Sequence, residues 1–241
     1  MNNNLKIGIK MKSLAKMYDY EKIATNSPLD RLLDGGIEKR SITQIYGPPG
    51  SGKTNISLIL TVNVAKTGKK VVYIDTEGGM SIERIKQLVG SGFEEVASNI
   101  LVLEPTNFTE QFEDLKMVES MLSSKVHDID LVVLDSAVAL YRVEDNKNKS
   151  NILGQQMSLL ASIARLYDLA VVVTNQIYAS FEENDDEFKP IGGTILQYWG
   201  KTIIELKRNE EEKTRVALLK RHKYLVEGLA VHFIITDNGI E

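Results

Sequence analysis

Gly47-Pro48-Pro49-Gly50-Ser51-Gly52-Lys53-Thr54 is the segment of this chain whose spacing speaks most directly of chemistry. The pattern G-x-x-x-x-G-K-[ST] suits the capture of a triphosphate. Glycines let the backbone wrap closely enough for its N–H groups to point at phosphate oxygens. A helix opening directly afterwards adds its N-terminal dipole to the same anion site. Lys53 is then expected to reach the β- and γ-phosphates of ATP, and Thr54 to offer its hydroxyl to Mg²⁺. A glycine-rich turn would match by accident in on the order of one chain in a hundred of this length, so context decides. Here an apolar run over 41–46 precedes the motif and a helical pattern follows it.

Leu131-Val132-Val133-Leu134-Asp135 is an apolar strand pattern ending in a carboxylate. That arrangement holds Mg²⁺, usually through water, opposite a phosphate loop. Glu77, just past Tyr73-Ile74-Asp75, falls at a neighbouring strand end, where ligands of open parallel sheets bind. It is the candidate to orient or deprotonate an attacking water. Gln176, after the strand pattern ending at Thr174, is placed to sense the γ-phosphate and relay its presence.

Alternating strands and helices must carry these groups. Strand patterns fall at 41–46, 70–75, 100–103, 131–134 and 170–173; helical ones fall at 54–65, 81–89, 108–122 and 152–166. Short unbroken apolar runs are the signature of parallel strands covered on both faces. Upstream, Ser27-Pro28-Leu29-Asp30 reads as a helix start with a capping box, burying Leu29, Leu32 and Leu33 and ending at Gly35-Gly36. After Gly193 the rhythm changes, and 202–206, 216–219 and 229–235 read as antiparallel hairpin strands on one sheet edge. The fold class is therefore α/β, a mostly parallel twisted sheet flanked by helices. Tyr198 and Trp199, beside one of these strands, could stack on bases, yet aromatic residues so placed are more often core.

The 241 residues suffice for one large α/β domain, and 43% hydrophobic with 26% charged residues is the balance of a globular chain. Without cysteine the chain has no disulfide framework and no thiolate metal site. No apolar run approaches the ~20 residues that span a bilayer, and the expectation is a cytoplasmic protein without a membrane partner. A net charge of −4 does not attract nucleic acid, so DNA contact needs a local basic patch.

The stretch from Ser27 to Gly36 before a strand and phosphate loop resembles the opening of RecA-like recombinases and of the circadian-clock KaiC-like ATPases. Thr174-Asn175-Gln176, Gly154-Gln155-Gln156, the segment from Ala164 to Ala170 and Pro190-Ile191-Gly192-Gly193 resemble the recombinase branch and archaeal RadA. The likeness runs from about Ala24 to Glu241, leaving no room for RadA's N-terminal DNA-binding domain. It is closest to the RadB family, the archaeal paralogues of RadA. This implies a RecA-like ATPase core over 26–241, with 1–25 as an arm. It also implies ATP, Mg²⁺ and DNA binding, feeble hydrolysis, no strand exchange of its own, and partnership with RadA and a Holliday-junction resolvase. The alternative is a KaiC-like signalling ATPase that does not act on DNA.

The resemblance turns two loops, 141–151 and 178–193, toward DNA. The first offers Arg142, Lys147 and Lys149. The second sets Glu182, Glu183, Asp185, Asp186 and Glu187 against Lys189, and clustered carboxylates repel a phosphate backbone, so weak DNA binding is expected. Lys220-Arg221-His222-Lys223 is the densest basic cluster, placed to meet a neighbouring subunit's phosphates, DNA or an acidic partner. Thr194 stands where RadA has a histidine linking the γ-phosphate to the loop. Ser81 stands where RadA has an adenine-stacking arginine, for which Arg84 is a substitute candidate.

Overall fold

Side chains on successive strand residues point to opposite faces, so a strand buried on both sides must be apolar throughout. The computed structural model, which describes residues 21–124, 128–178, 189–209 and 213–241, shows this in its central strands. A short strand β1 (Lys22–Ile23) pairs antiparallel with β2 (Ile37–Glu38), and helix α1 (Leu29–Leu32) lies between them. The phosphate-loop strand is β3 (Ile42–Gly47), followed by α2 (Lys53–Ala65) and β4 (Lys70–Asp75). Next come α3 (Ile82–Val89), α4 (Phe93–Ala97), β5 (Ile100–Leu103), α5 (Phe108–Ser123) and β6 (Ile129–Asp135). The chain continues through α6 (Ala139–Val143), α7 (Lys149–Tyr167), β7 (Ala170–Tyr178), β8 (Lys189–Pro190) and α8 (Gly193–Trp199). It closes with β9 (Gly200–Asn209), β10 (Thr214–Arg221), β11 (Ala230–Phe233) and a hairpin of β12 (Ile235–Thr236) and β13 (Gly239–Ile240).

The main sheet runs β11-β10-β9-β3-β7-β6-β4-β5, with β8 appended to β7. From β9 to β5 the neighbours are parallel; β10 and β11 add antiparallel at one edge. Val71, Tyr73, Val133 and Val172 face one layer of core with α1, α2 and α3 residues such as Leu29, Ile56 and Ile85. Val72, Ile74, Val132 and Val171 face the other, with Phe108, Leu115, Leu153 and Leu160 of α5 and α7. The expected α/β class stands, with its parallel core and antiparallel C-terminal edge.

Local signals are realised with adjustments. Ser81 Oγ accepts from Arg84 N at 3.1 Å and caps α3. At α1, Ser27 Oγ accepts from Leu29 N at 3.2 Å, but Asp30 reaches past Ser27 to accept from Thr25 N and Asn26 N, at 2.7 and 2.9 Å. The expected loop 141–151 needs correction: α6 runs to Val143 and α7 begins at Lys149, leaving a short turn between. Helix α8 precedes β9 in a stretch assigned no element from the sequence, and its Tyr198, read as core, is 70% exposed. Trp199 is half-buried against the α7 side of the core. Most of the expected arm 1–25 and the carboxylates Glu182 to Glu187 lie outside the described residues. Among the described residues no helix is long and apolar enough to cross a membrane.

Candidate nucleotide site

Strand order gathers the site. Parallel pairing sets Gly47 opposite Gln176 and Asp75 opposite Asp135, so four carboxyl ends meet along one rim. The phosphate loop leaves β3 there and turns directly into α2, whose first helical bond runs from Ile56 N to Gly52 O at 3.0 Å.

Two glycines are needed for steric reasons. A Cβ on Gly47 would stand 2.4 Å from the Leu206 carbonyl oxygen of β9. Gly52 has φ +106°, and a Cβ there would meet Ile235 Cδ1 at 3.3 Å. Within the loop Ser51 Oγ is buried, with no hydrogen-bond partner among the described residues. Lys53 is half-buried and folds back, its Nζ donating to the Gly47 and Pro48 carbonyls at 2.9 and 3.0 Å. Burial pulls the Lys53 ammonium below the ordinary lysine range, while Asp135 and Glu77 act in the opposite sense. A cation that pays desolvation and rests on loop carbonyls is suited to exchange them for phosphate oxygens.

Asp135 is buried, and both of its oxygens are engaged. Tyr73 Oη donates to Oδ2 at 2.6 Å from β4, and Thr174 Oγ1 donates to Oδ1 from β7. Burial holds the Tyr73 phenol well above its usual range, and the Asp135 charge adds to this. Asp75 has a different task. Its Oδ1 accepts from Glu77 N and Gly79 N at 3.1 Å each, and Oδ2 from Met80 N at 2.8 Å. It thereby shapes the loop that carries Glu77 and brings Gly79 beside Thr54, where a Cβ would lie 3.9 Å from Oγ1.

Glu77 accepts from Ser136 Oγ at 2.6 Å and from Gln176 Nε2 at 3.0 and 2.8 Å. Arg142 Nη1 in turn donates to Gln176 Oε1 at 3.2 Å. Glu77, Gln176 and Arg142, with Thr76, Leu140 and Val143, line a cleft of about 550 Å³. The donor set fits a magnesium-bound triphosphate: backbone N–H groups, one ammonium, one hydroxyl and one carboxylate. Magnesium commonly keeps waters and takes few protein ligands beside substrate phosphates. Among the described residues no cluster of three or more His, Asp or Glu offers a protein-only metal cage.

The structure thus brings together Gly47, Pro48, Pro49, Gly50, Ser51, Gly52, Lys53, Thr54, Glu77, Asp135, Gln176 and Arg142. The other basic candidates lie apart. Lys147 is exposed in the turn before α7. Lys149 donates to Glu144 O at 2.7 Å and lies 5.1 Å from the Tyr141 ring centroid. The 220–223 cluster is divided: Lys220 faces Glu205 at 3.6 Å, Arg221 Nη1 donates to Gln197 O at 2.5 Å, and Lys223 meets the buried Glu38 at 2.6 Å. Thr194 is exposed in the first turn of α8. Arg84 ties α3 to its surroundings through Asn55 Oδ1, Asp237 O and Gly239 O at 2.9 to 3.3 Å. Sequence reasoning missed Tyr73, Thr174 and Ser136. A hydroxyl closing an apolar run, as in Thr174, was the one available signal.

The Rad51 family model matches residues 19–241. The RadB protein of Methanobrevibacter smithii, a DNA repair and recombination protein, is 60% identical over 233 residues, covering 95% of this chain and all of that protein. This chain belongs to the RadB branch of the Rad51 family. The RadB protein of Methanothermobacter thermautotrophicus is 51% identical over the same share of each chain. A crystal structure of the RadB recombinase superposes with a TM-score of 0.76 at 35% identity, over 90% of this chain and 98% of that one. The motifs around 27–36, 174–176 and 190–193 implied the recombinase branch, and the core-only length implied RadB within it; both expectations agree with these relatives.

Proposed function

We propose that this RadB-family protein binds ATP with Mg²⁺ at residues 47–54 and acts in DNA repair and homologous recombination as a nucleotide-gated adaptor. It hydrolyses slowly, binds single-stranded or branched DNA weakly, and assists the RadA recombinase and junction processing, with a Holliday-junction resolvase as a further partner. It does not perform strand exchange itself, and it works in the cytoplasm. The observation that carries this reading is the convergence of Lys53, Asp135, Glu77 and Gln176 on one rim beside the phosphate loop.

In this reading the N–H groups of the loop and the α2 N-terminus hold phosphate oxygens, and Lys53 neutralises charge at the terminal phosphate. Thr54 and Asp135 would hold Mg²⁺, which would supply charge neutralisation at the phosphates. Glu77 orients the water. Hydrolysis is slow because Glu77 shares its rim with a solvent-open cleft that does not exclude bulk water. DNA contact is weak because Lys220, Arg221, Lys149 and Arg142 each hold an intramolecular partner.

A strand-exchange assay with RadA, with and without this protein, tests the adaptor role. Stimulation by wild type that is lost with Lys53→Ala is the expected result. Identical exchange with wild type, variant or no addition would remove the adaptor reading and favour the KaiC-like one.

A further inference from the structure

Gln176 sits between two side chains that each play one part in hydrogen bonding. A guanidinium only donates, and a carboxylate only accepts. Arg142 Nη1 donates to Gln176 Oε1 at 3.2 Å, and Gln176 Nε2 donates to Glu77 Oε2 and Oε1 at 2.8 and 3.0 Å. Turning the amide over would set its oxygen against the carboxylate and its NH₂ against the guanidinium. All three bonds would be lost and both contacts would become repulsive. Arg142 therefore fixes which end of the amide Glu77 meets.

This matters for where Glu77 can hold a water. Among the described residues Oε1 accepts from Ser136 Oγ and from Gln176, while Oε2 accepts from Gln176 alone. With roughly two lone-pair sites per oxygen, the remaining site is on Oε2. The Gln176 amide and the Ser136 hydroxyl together set the direction of that site. Arg142 comes from α6, Gln176 from β7, Ser136 from the end of β6, and Glu77 from the loop after β4. Two further pieces of chain thus meet the Glu77 carboxylate directly, and a third reaches it through Gln176.

We propose that Arg142 is a positioning residue for Glu77, acting through the Gln176 amide, rather than a side chain reserved for DNA phosphate. The proposal rests on the reading of Glu77 as the residue that orients the water. Arg142 is exposed, so its replacement should leave the fold intact, and a double-mutant cycle can isolate the link.

Wild type, Arg142→Ala, Gln176→Ala and the double variant are compared in ATP turnover. Arg142→Ala is expected to lower kcat by roughly three- to thirtyfold, within the range of coupling between contacting residues, with KM for ATP within about twofold. The double variant should be no slower than Gln176→Ala alone. In the nucleotide-free protein, the Gln176 side-chain amide resonance, assigned by its loss in Gln176→Ala, should shift in Arg142→Ala. Additive kcat losses or an unshifted amide would overturn the proposal. Absence of turnover in wild type would instead overturn the reading of Glu77 on which it rests, while the amide shift still reports the link itself.

Discussion

Tyr73 is fully buried on β4, and its hydroxyl reaches across to Asp135 Oδ2 at 2.6 Å. Tyr73→Phe removes that oxygen and leaves the ring packed among Val71, Val133 and the α2 residues, so little cavity is created. What changes is one hydrogen bond to a charged, buried acceptor. Such bonds contribute about 1.5–3 kcal/mol net. Asp135 keeps Thr174 on its other oxygen and stays under the attraction of Lys53, which places the expected loss near 2 kcal/mol, toward the lower end of that range. For a chain of this size the melting temperature should fall by roughly 4–8 °C. Urea denaturation without nucleotide, compared at equal m-value, measures the change directly. Freed on one side, the carboxylate is also less well aimed at the metal, so the Mg²⁺ needed for half-maximal ATP binding should rise by about tenfold or more. A stability loss below about 0.5 kcal/mol at unchanged m would refute the view that Tyr73 holds Asp135.

Three further outcomes follow from the geometry. Burial holds the His222 imidazole below its ordinary value, aided by Lys22 and Lys223 and opposed by Glu38 and Asp34. The unfolded chain then takes up the proton first, so stability falls as pH drops below about 6.5 through the folded value. His222→Asn, whose Oδ1 can replace Nδ1 as acceptor for Tyr224 N and Leu225 N, should flatten that fall in urea midpoints taken between about pH 7 and pH 5. Lys53 is likewise depressed in the folded state, so its contribution to stability is poorest at neutral pH and recovers as pH rises toward the unfolded lysine value. Lys53→Met should therefore match or exceed wild type in nucleotide-free stability near neutrality, with any advantage shrinking in alkaline urea titrations. Saturating single-stranded DNA should raise ATP turnover less than tenfold in a steady-state assay, given the carboxylates between Glu182 and Glu187; a larger stimulation would contradict the expected repulsion.

The sequence was most readable where one physical requirement dominated. Strands buried on both faces must be apolar, and Lys70–Asp75 and Ile100–Leu103 are found at their expected bounds. Ser81 caps α3 because a short hydroxyl before an amphipathic run has few better uses. The phosphate loop was legible because glycine at 47 and 52 answers a steric demand that other residues cannot meet. Short helices were not. Phe93–Ala97, Ala139–Val143 and Gly193–Trp199 span two turns or fewer, too little for a period to register. The supports of the site were also hidden, since Tyr73 and Thr174 reach Asp135 only because β6 lies between β4 and β7. Strand order arises from long-range pairing, which no local pattern encodes. The surroundings of the basic cluster at 220–223 were hidden for the same reason: Lys220 faces Glu205, Arg221 meets the Gln197 carbonyl, and His222 and Lys223 face Glu38, all of them distant in sequence.

The central claim is that residues 47–54 hold a magnesium-bound nucleoside triphosphate with Lys53 on its phosphates. Calorimetric titration of the folded protein with ATP in Mg²⁺, for wild type and Lys53→Ala, tests it most directly. One ATP should bind per chain, and the variant should bind at least about tenfold more weakly, a loss of about 1.4 kcal/mol or more. Wild type that keeps its circular-dichroism signature yet takes up no ATP, or a Lys53→Ala variant that binds it equally well, would contradict the account.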